Sequence, residues 1–146
     1  MKVAIHIQPD IQEIEVIINC RAEDETVQRI VSVLDSLDTK LRCRRQGEEF
    51  QIALHDILYI ESVDRKTFLY TERQIYETDK RLYELEDHLK NRSFFRASKS
   101  VIINLKRTKS IRPEIGARLL LTMDNGEKII VSRQYSSNIK TALGVM

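Results

Sequence analysis

The 146-residue chain has four Gly, two Pro, two Cys and three His. So little Gly and Pro leaves no room for a long low-complexity linker. A hydrophobic content of 42% with 32% charged residues is near the globular average and argues against general disorder. Four scattered Gly make no phosphate-cradling loop, and His6, His55 and His88 fall at no metal-ligand spacing, so neither a metal nor an organic cofactor is expected. The N-terminal stretch Met1-Lys2-Val3-Ala4-Ile5-His6-Ile7 is too short an apolar run for a signal peptide, and nothing approaches a membrane span. Without a secretion signal, Cys20 and Cys43 fit reduced thiols in a cytoplasm better than a disulfide framework. The length suits one domain with a short appendage and argues against two compact domains.

The formal charge of +2 conceals an asymmetry. Residues 1–38 carry 3 basic against 8 acidic groups, residues 39–94 carry 11 of each, and residues 95–146 carry 10 basic against 3 acidic. The last third is therefore the part that a polyanion would meet, because fixed positive charge attracts phosphate and releases counterions.

Two short strands are expected at Val3-Ala4-Ile5-His6-Ile7 and Ile14-Glu15-Val16-Ile17-Ile18, separated by the turn-prone Pro9-Asp10. A helix should follow from an Asp24 N-cap, with Val27, Ile30, Val31, Leu34 and Leu37 forming one apolar stripe. That stripe packs either on its own N-terminal strands or the main domain, or on another subunit or regulator. Beyond Asp38 the pattern turns to strands: 41–45 and 49–54 around a Gln46-Gly47-Glu48 turn, 57–63, 67–71 and 74–77. Leu82, Leu85 and Leu89 line a helix over roughly residues 80–90. Val101-Ile102-Ile103 reads as a buried strand, and strands near 109–115 and 118–123 lead to the Asp124-Asn125-Gly126 turn and a strand at 127–131. A last helix, with Ser132 at its start, carries Tyr135, Ile139 and Leu143 on one face and stops at Gly144.

This order resembles the LytTR DNA-binding domain family. The marks are Ile57-Leu58-Tyr59-Ile60-Glu61-Ser62, the helix Leu82-Tyr83-Glu84-Leu85-Glu86, the block from Phe94-Phe95-Arg96-Ala97-Ser98-Lys99-Ser100 through Val101-Ile102-Ile103-Asn104-Leu105, and Ile130-Val131-Ser132-Arg133. Four blocks in the family's order cover about residues 41–144. The resemblance implies a mostly β, α+β fold: an elongated arrangement of small antiparallel sheets with short helices, here preceded by a strand-strand-helix segment. It divides the chain into an N-terminal arm at 1–38, for dimerisation or regulation, and a DNA-binding domain at 39–146. Loops, rather than a recognition helix, would enter successive major grooves of double-stranded DNA.

Motif by motif, the resemblance assigns three contact regions: Arg65, Lys66 and Thr67; Ser98 and Lys99; and Arg133 with Gln134. Lys99 and Arg133 are the expected base readers, since Arg and Lys match the N7 and O6 acceptors of guanine. Asn104, Lys106 and Arg107 are weaker candidates for phosphate. Turn solvation competes for Arg65 and Lys66, a local turn for Asn104, simple solvation for Lys106 and Arg107, internal carbonyls or carboxylates for Arg96, and carbonyl capping for Arg133. Ser98 departs from the family, where many relatives place His, and removes any contact that switches charge near neutral pH.

Residues 1–38 are too few for the receiver domain that family members often carry upstream, so phosphorylation of such a domain is not expected. By analogy, a homodimer forms at least on DNA, and the acidic arm is a candidate dock for a membrane-bound antagonist protein. No catalysis is expected: Ser137-Asn138-Ile139-Lys140 has a hydrolase-like spacing but lies on a terminal amphipathic helix without partner motifs. A protein-interaction module with a basic face and an RNA-binding module remain the alternatives, although the tyrosines mostly occupy core-periodic positions rather than stacking ones.

Overall fold

A computed structural model of the chain describes residues 1–90 and 92–144, the side chains of Ser36 and Asp38 excepted. Helix α1 (Glu25–Asp38) is followed by strands β1 (Lys40–Arg45) and β2 (Glu48–Ala53), a 3-10 turn (Leu54–Asp56), and strands β3 (Tyr59–Val63), β4 (Lys66–Tyr70) and β5 (Ile75–Thr78). Helix α2 (Leu82–His88), strands β6 (Phe94–Arg96) and β7 (Val101–Asn104), a second 3-10 turn (Leu105–Arg107), strands β8 (Thr108–Glu114), β9 (Arg118–Met123) and β10 (Lys128–Val131) and helix α3 (Arg133–Ala142) complete it. The fold is mostly β with three short helices, as expected. Seven strands pair in the order β2-β1-β5-β4-β3-β7-β6 and three in the order β10-β9-β8, with every pairing antiparallel.

Two strands at the centre explain the architecture. Successive side chains on a strand point to opposite faces, so a strand covered on both sides must be apolar throughout. Ile60 of β3 and Ile102 of β7 enter one core with Leu41, Leu69, Leu82, Leu85 and Leu89, which brings α2 onto the seven-stranded sheet. Their neighbours Tyr59 and Ile103 enter a second core with Leu119, Leu121, Met123, Val131 and Ile139, which brings the three-stranded sheet and α3 onto the opposite face. The unbroken apolar runs at 57–60 and 101–103 are thus the signature of a layer held between two cores. Each fully buried side chain of this kind contributes about 1.5–3 kcal/mol.

Local chemistry sets the ends of elements. The Asp24 carboxylate accepts from the Val27 backbone N–H at 3.0 Å and caps α1 as the sequence predicts. Glu84 accepts from the Arg81 N–H at 3.1 Å at the start of α2. Gly126 and Gly144, both at positive φ, allow the β9–β10 turn and the end of α3. Ser132 stands at the N-cap of α3, but its hydroxyl makes no capping bond. Helix α1 lies against the first 3-10 turn and β2, and Arg92 ties it down through Asp35 at 2.6 Å and Thr39 at 3.0 Å.

The expected strands at 3–7 and 14–18 do not form. Residues 1–23 carry no helix or strand, only a turn at 9–10 and bends at 12–13 and 21–22, and among them only Ile18 is partly buried. The turn between them exists, with the Ile11 N–H donating to the Gln8 carbonyl at 3.1 Å. Alternation names a strand's apolar face but supplies no partner for its backbone, and among the described residues no strand pairs with these segments.

Cys43 on β1 is buried, and burial, reinforced by nearby Glu49, pushes its thiol up to about 11 from an ordinary 9.0. A folded-state pKa above the unfolded one contributes stability that is complete below about pH 9 and lost as pH rises through 11, by at most about 2–3 kcal/mol. Urea midpoints measured from pH 8 to pH 11 should fall across that window, and Cys43→Ala should flatten the fall.

Candidate nucleic-acid interface

Three cation-bearing segments adjoin because backbone bonds join the elements that carry them. The β3–β4 turn holds Asp64 and Arg65 at φ 50° and 67°, the pair of left-handed residues that a tight two-residue hairpin requires. Such a conformation costs a non-glycine residue about 1–2 kcal/mol. Arg65 and Lys66 are exposed at this turn. Just before it, the Ser62 N–H donates to the Ser100 carbonyl at 2.8 Å, which sets the β6–β7 loop beside the turn. At the other end of that loop, the Ala97 carbonyl accepts from the Ser132 N–H at 2.8 Å and so holds the start of α3, with exposed Arg133 and Gln134.

The β6–β7 loop is braced from within. The Ala97 and Ser98 N–H groups both donate to the Val101 carbonyl, at 2.8 and 3.3 Å, and the Ser100 N–H donates to the Ser98 hydroxyl at 3.2 Å. Arg96, only 13% exposed, directs one guanidinium nitrogen at the carbonyls of Ser98 (3.2 Å) and Lys99 (2.7 Å), while its Nε lies 3.3 Å from Glu86 on α2. Both internal roles anticipated for Arg96 are present together. Its charge is used against carbonyls and one carboxylate, so the adjacent Lys99 is the residue left to project from the loop.

Among the described residues, the side chains of Arg65, Lys66, Lys99, Arg133 and Gln134 have no hydrogen-bond or ion-pair partner. The first turn of α3 contains no carboxylate, so nothing there competes for an incoming anion. Glu61 and Asp64 lie at the same end of β3 and offset part of the positive charge.

Four expected contacts are corrected by the geometry. Thr67 begins the inward-facing row of β4 and is 3% exposed, so its side chain reaches no ligand. Asn104 is 2% exposed and engaged within the fold: its Nδ2 donates to the Ile57 carbonyl at 2.9 Å, and its Oδ1 accepts from the Ser93 hydroxyl at 2.9 Å and the Lys106 N–H at 3.2 Å. Arg107 is 15% exposed and donates to Asp124 at 2.8 Å and to the His55 carbonyl at 2.8 Å, with Glu72 at 3.5 Å. Lys106 folds onto α1 and donates to the Ser32 hydroxyl; burial there lowers its pKa, while Asp35 pulls it the other way. Sequence reasoning missed the backbone groups of Ser62, Ser100 and Ser132 that join the segments, and no side-chain pattern advertises them. It also missed the β8–β9 tip, which Ser136 fastens to α3 by donating to the Ala117 carbonyl at 2.7 Å.

These features define a β scaffold that presents polar, cationic turns at the edge where its two layers meet. The chain belongs to the LytTR DNA-binding domain family: residues 47–144 match the family model described as the LytTr DNA-binding domain. The solved LytTr DNA-binding domain of a Bacillus cereus response regulator is similar to it with a TM-score of 0.68 at 30% identity, over 73% of this chain and 98% of that one. Sensory transduction protein LytT of Bacillus anthracis is 34% identical over 94 residues, 64% of this chain and 38% of that protein. Transcriptional regulatory protein LytR of Staphylococcus aureus (strain bovine RF122 / ET3-1) is 24% identical over 125 residues, 85% of this chain and 51% of that protein. The chain therefore spans between about two fifths and one half of these two relatives. Among the described residues, no helix is long and apolar enough to cross a membrane.

The division between bracing and projecting residues is measurable. Asn104→Ala, which leaves the Ile57 carbonyl buried without its donor, should cost about 1–3 kcal/mol of stability in urea denaturation. Lys99→Ala should change stability by less than about 0.5 kcal/mol.

Proposed function

We propose that this chain is a sequence-specific, double-stranded DNA-binding transcription regulator. The β3–β4 turn, the β6–β7 loop and the start of α3 together form its reading surface. The observation that carries the reading is the partition of the basic residues. Arg96 and Arg107 are consumed by carbonyls and carboxylates inside the domain. Arg65, Lys66, Lys99 and Arg133, which adjoin through the Ser62–Ser100 and Ser132–Ala97 bonds, are left open to solvent. Unneutralised cations on braced turns suit a major groove lined with guanine acceptors and flanked by phosphates.

In this reading Lys99 and Arg133 read bases, Gln134 and Ser98 supply neutral hydrogen bonds, and Arg65 and Lys66 lie toward the backbone. Arg96 is a positioning residue that fixes the Lys99 main chain. Two copies occupy repeated half-sites, which sets the spacing of the target, and the site of action is the cytoplasm. The names of the LytT and LytR relatives, which describe sensory transduction and transcriptional regulation, point the same way. Duplex rather than unpaired RNA fits better because, among the described residues, Tyr83 on α2 is the one exposed aromatic and unpaired bases need stacking partners.

Selection of bound duplexes from a random pool should return a repeated motif. Against that motif, Lys99→Ala and Arg133→Ala should each lose about 1–3 kcal/mol of binding and relax preference at one position. Lys106→Ala, by contrast, should leave affinity within about twofold. Equal losses from all three on selected and random duplexes would refute the base-reading assignment. Arg65→Gly gives an independent check: relief of the left-handed backbone should raise stability by about 1 kcal/mol while affinity for all duplexes falls and the salt dependence flattens.

A further inference from the structure

Residues 1–23 are the largest part of the chain that the two cores leave uncovered. Val3, Ile5, Ile7, Ile14, Val16 and Ile17 are between 57% and 91% exposed. In an extended chain Val3, Ile5 and Ile7 share one face, and Ile14, Val16 and Ile18 share one face. Between the two rows the Gln8–Ile11 turn is already closed. The segment therefore has a hairpin's pattern and a hairpin's turn but no ladder. Folding the two rows together within one chain would not resolve this, because a two-stranded ribbon is marginal in water and its apolar face would remain open. On α1, which follows directly, Val31 and Leu37 are also about half exposed.

We propose that this arm is the contact between two copies of the chain. The two rows meet as strands, and the apolar faces of two copies close on each other about a twofold axis. A second copy is the occupant with the same two apolar rows, so the match is self-complementary. Its charges agree: the first row carries Lys2 and no carboxylate, and the second carries Glu13 and Glu15 and no base. Pairing a first row with a second row therefore sets opposite charges together, whereas second row on second row sets carboxylate against carboxylate. The area is close to what a specific contact needs. The five exposed apolar side chains on the two rows, Val3, Ile5, Ile7, Ile14 and Val16, at roughly 100 Å² each give about 1,000 Å² from two copies, near the lower bound of specific interfaces, before the backbone and α1 are counted. The contact uses none of the residues assigned to the reading surface, so it stands whether or not the DNA reading does.

Sedimentation equilibrium of the full chain without DNA, over about 1–100 µM, tests this. Wild type should be a reversible dimer, and Ile5→Lys with Val16→Lys should be monomeric with an unchanged circular dichroism spectrum, since neither residue touches a core. Ile5→Val should retain the dimer. A bifunctional maleimide should join two copies through exposed Cys20 in wild type and not in the double variant, with buried Cys43 silent. A monomeric wild type across the range overturns the proposal, whether the arm is then protected from hydrogen exchange within one chain or bound to phospholipid vesicles. A double variant that dimerises like wild type overturns it too. Loss of the dimer with retained affinity for a single half-site would separate this contact from the DNA reading.

Discussion

The structure depends on two adjacent strands, β3 and β7, being apolar on both faces. Ile60 and Ile102 look into the core closed by α2, while Tyr59 and Ile103 look into the core closed by the three-stranded sheet and α3. A strand pair held in this way has a fixed register, because a slip by one residue would exchange the contents of the two cores. The turns at the ends of these strands inherit that rigidity. The β3–β4 turn and the β6–β7 loop sit next to each other because Ser62 and Ser100 continue the β3–β7 ladder. The start of α3 joins them because the second core draws Val131 and Ile139 onto the same layer.

From this follows a division of labour among residues of the same type. Guanidinium groups that lie behind the loops satisfy carbonyls, as Arg96 does for Ser98 and Lys99 and Arg107 does for His55. Groups at the loop apices keep their charge available. An interior arginine thus contributes geometry, and an apical lysine or arginine keeps an unpaired charge. Because the sheets limit loop motion, the apical side chains are carried on turns that are already ordered.

Much of the fold was legible because the sequence patterns are local. The continuous runs at 57–60 and 101–103, the leucine spacing from Leu82 to Leu89, the Asp24 cap and the Asp124-Asn125-Gly126 turn each specify an element without reference to the rest of the chain. The site was legible only in outline. Lys99 stands in the sequence as a base-contact candidate and Arg96 as divided between roles, but Asn104, Lys106, Arg107 and Thr67 look polar and accessible in the sequence and are engaged or buried in the structure. Their partners, Ile57, Ser32, His55 and Asp124, are contributed from 17 to 74 positions away, and no local pattern records them.

The sequence by itself determined most of the strands and helices beyond residue 23, which faces are apolar, and that the positive charge gathers in the last third. It did so because side-chain chemistry repeating with period 2 or 3.6 is sufficient to define a face. Only the tertiary structure decided which of the cations remain free. That depends on long-range main-chain and side-chain pairings, among them Ser62 with Ser100, Ser132 with Ala97 and Arg107 with His55, that exist only once two cores have closed on one layer. It also decided the fate of the N-terminal rows, because alternation fixes which side of a strand is apolar, while a ladder needs a second backbone to accept and donate its hydrogen bonds.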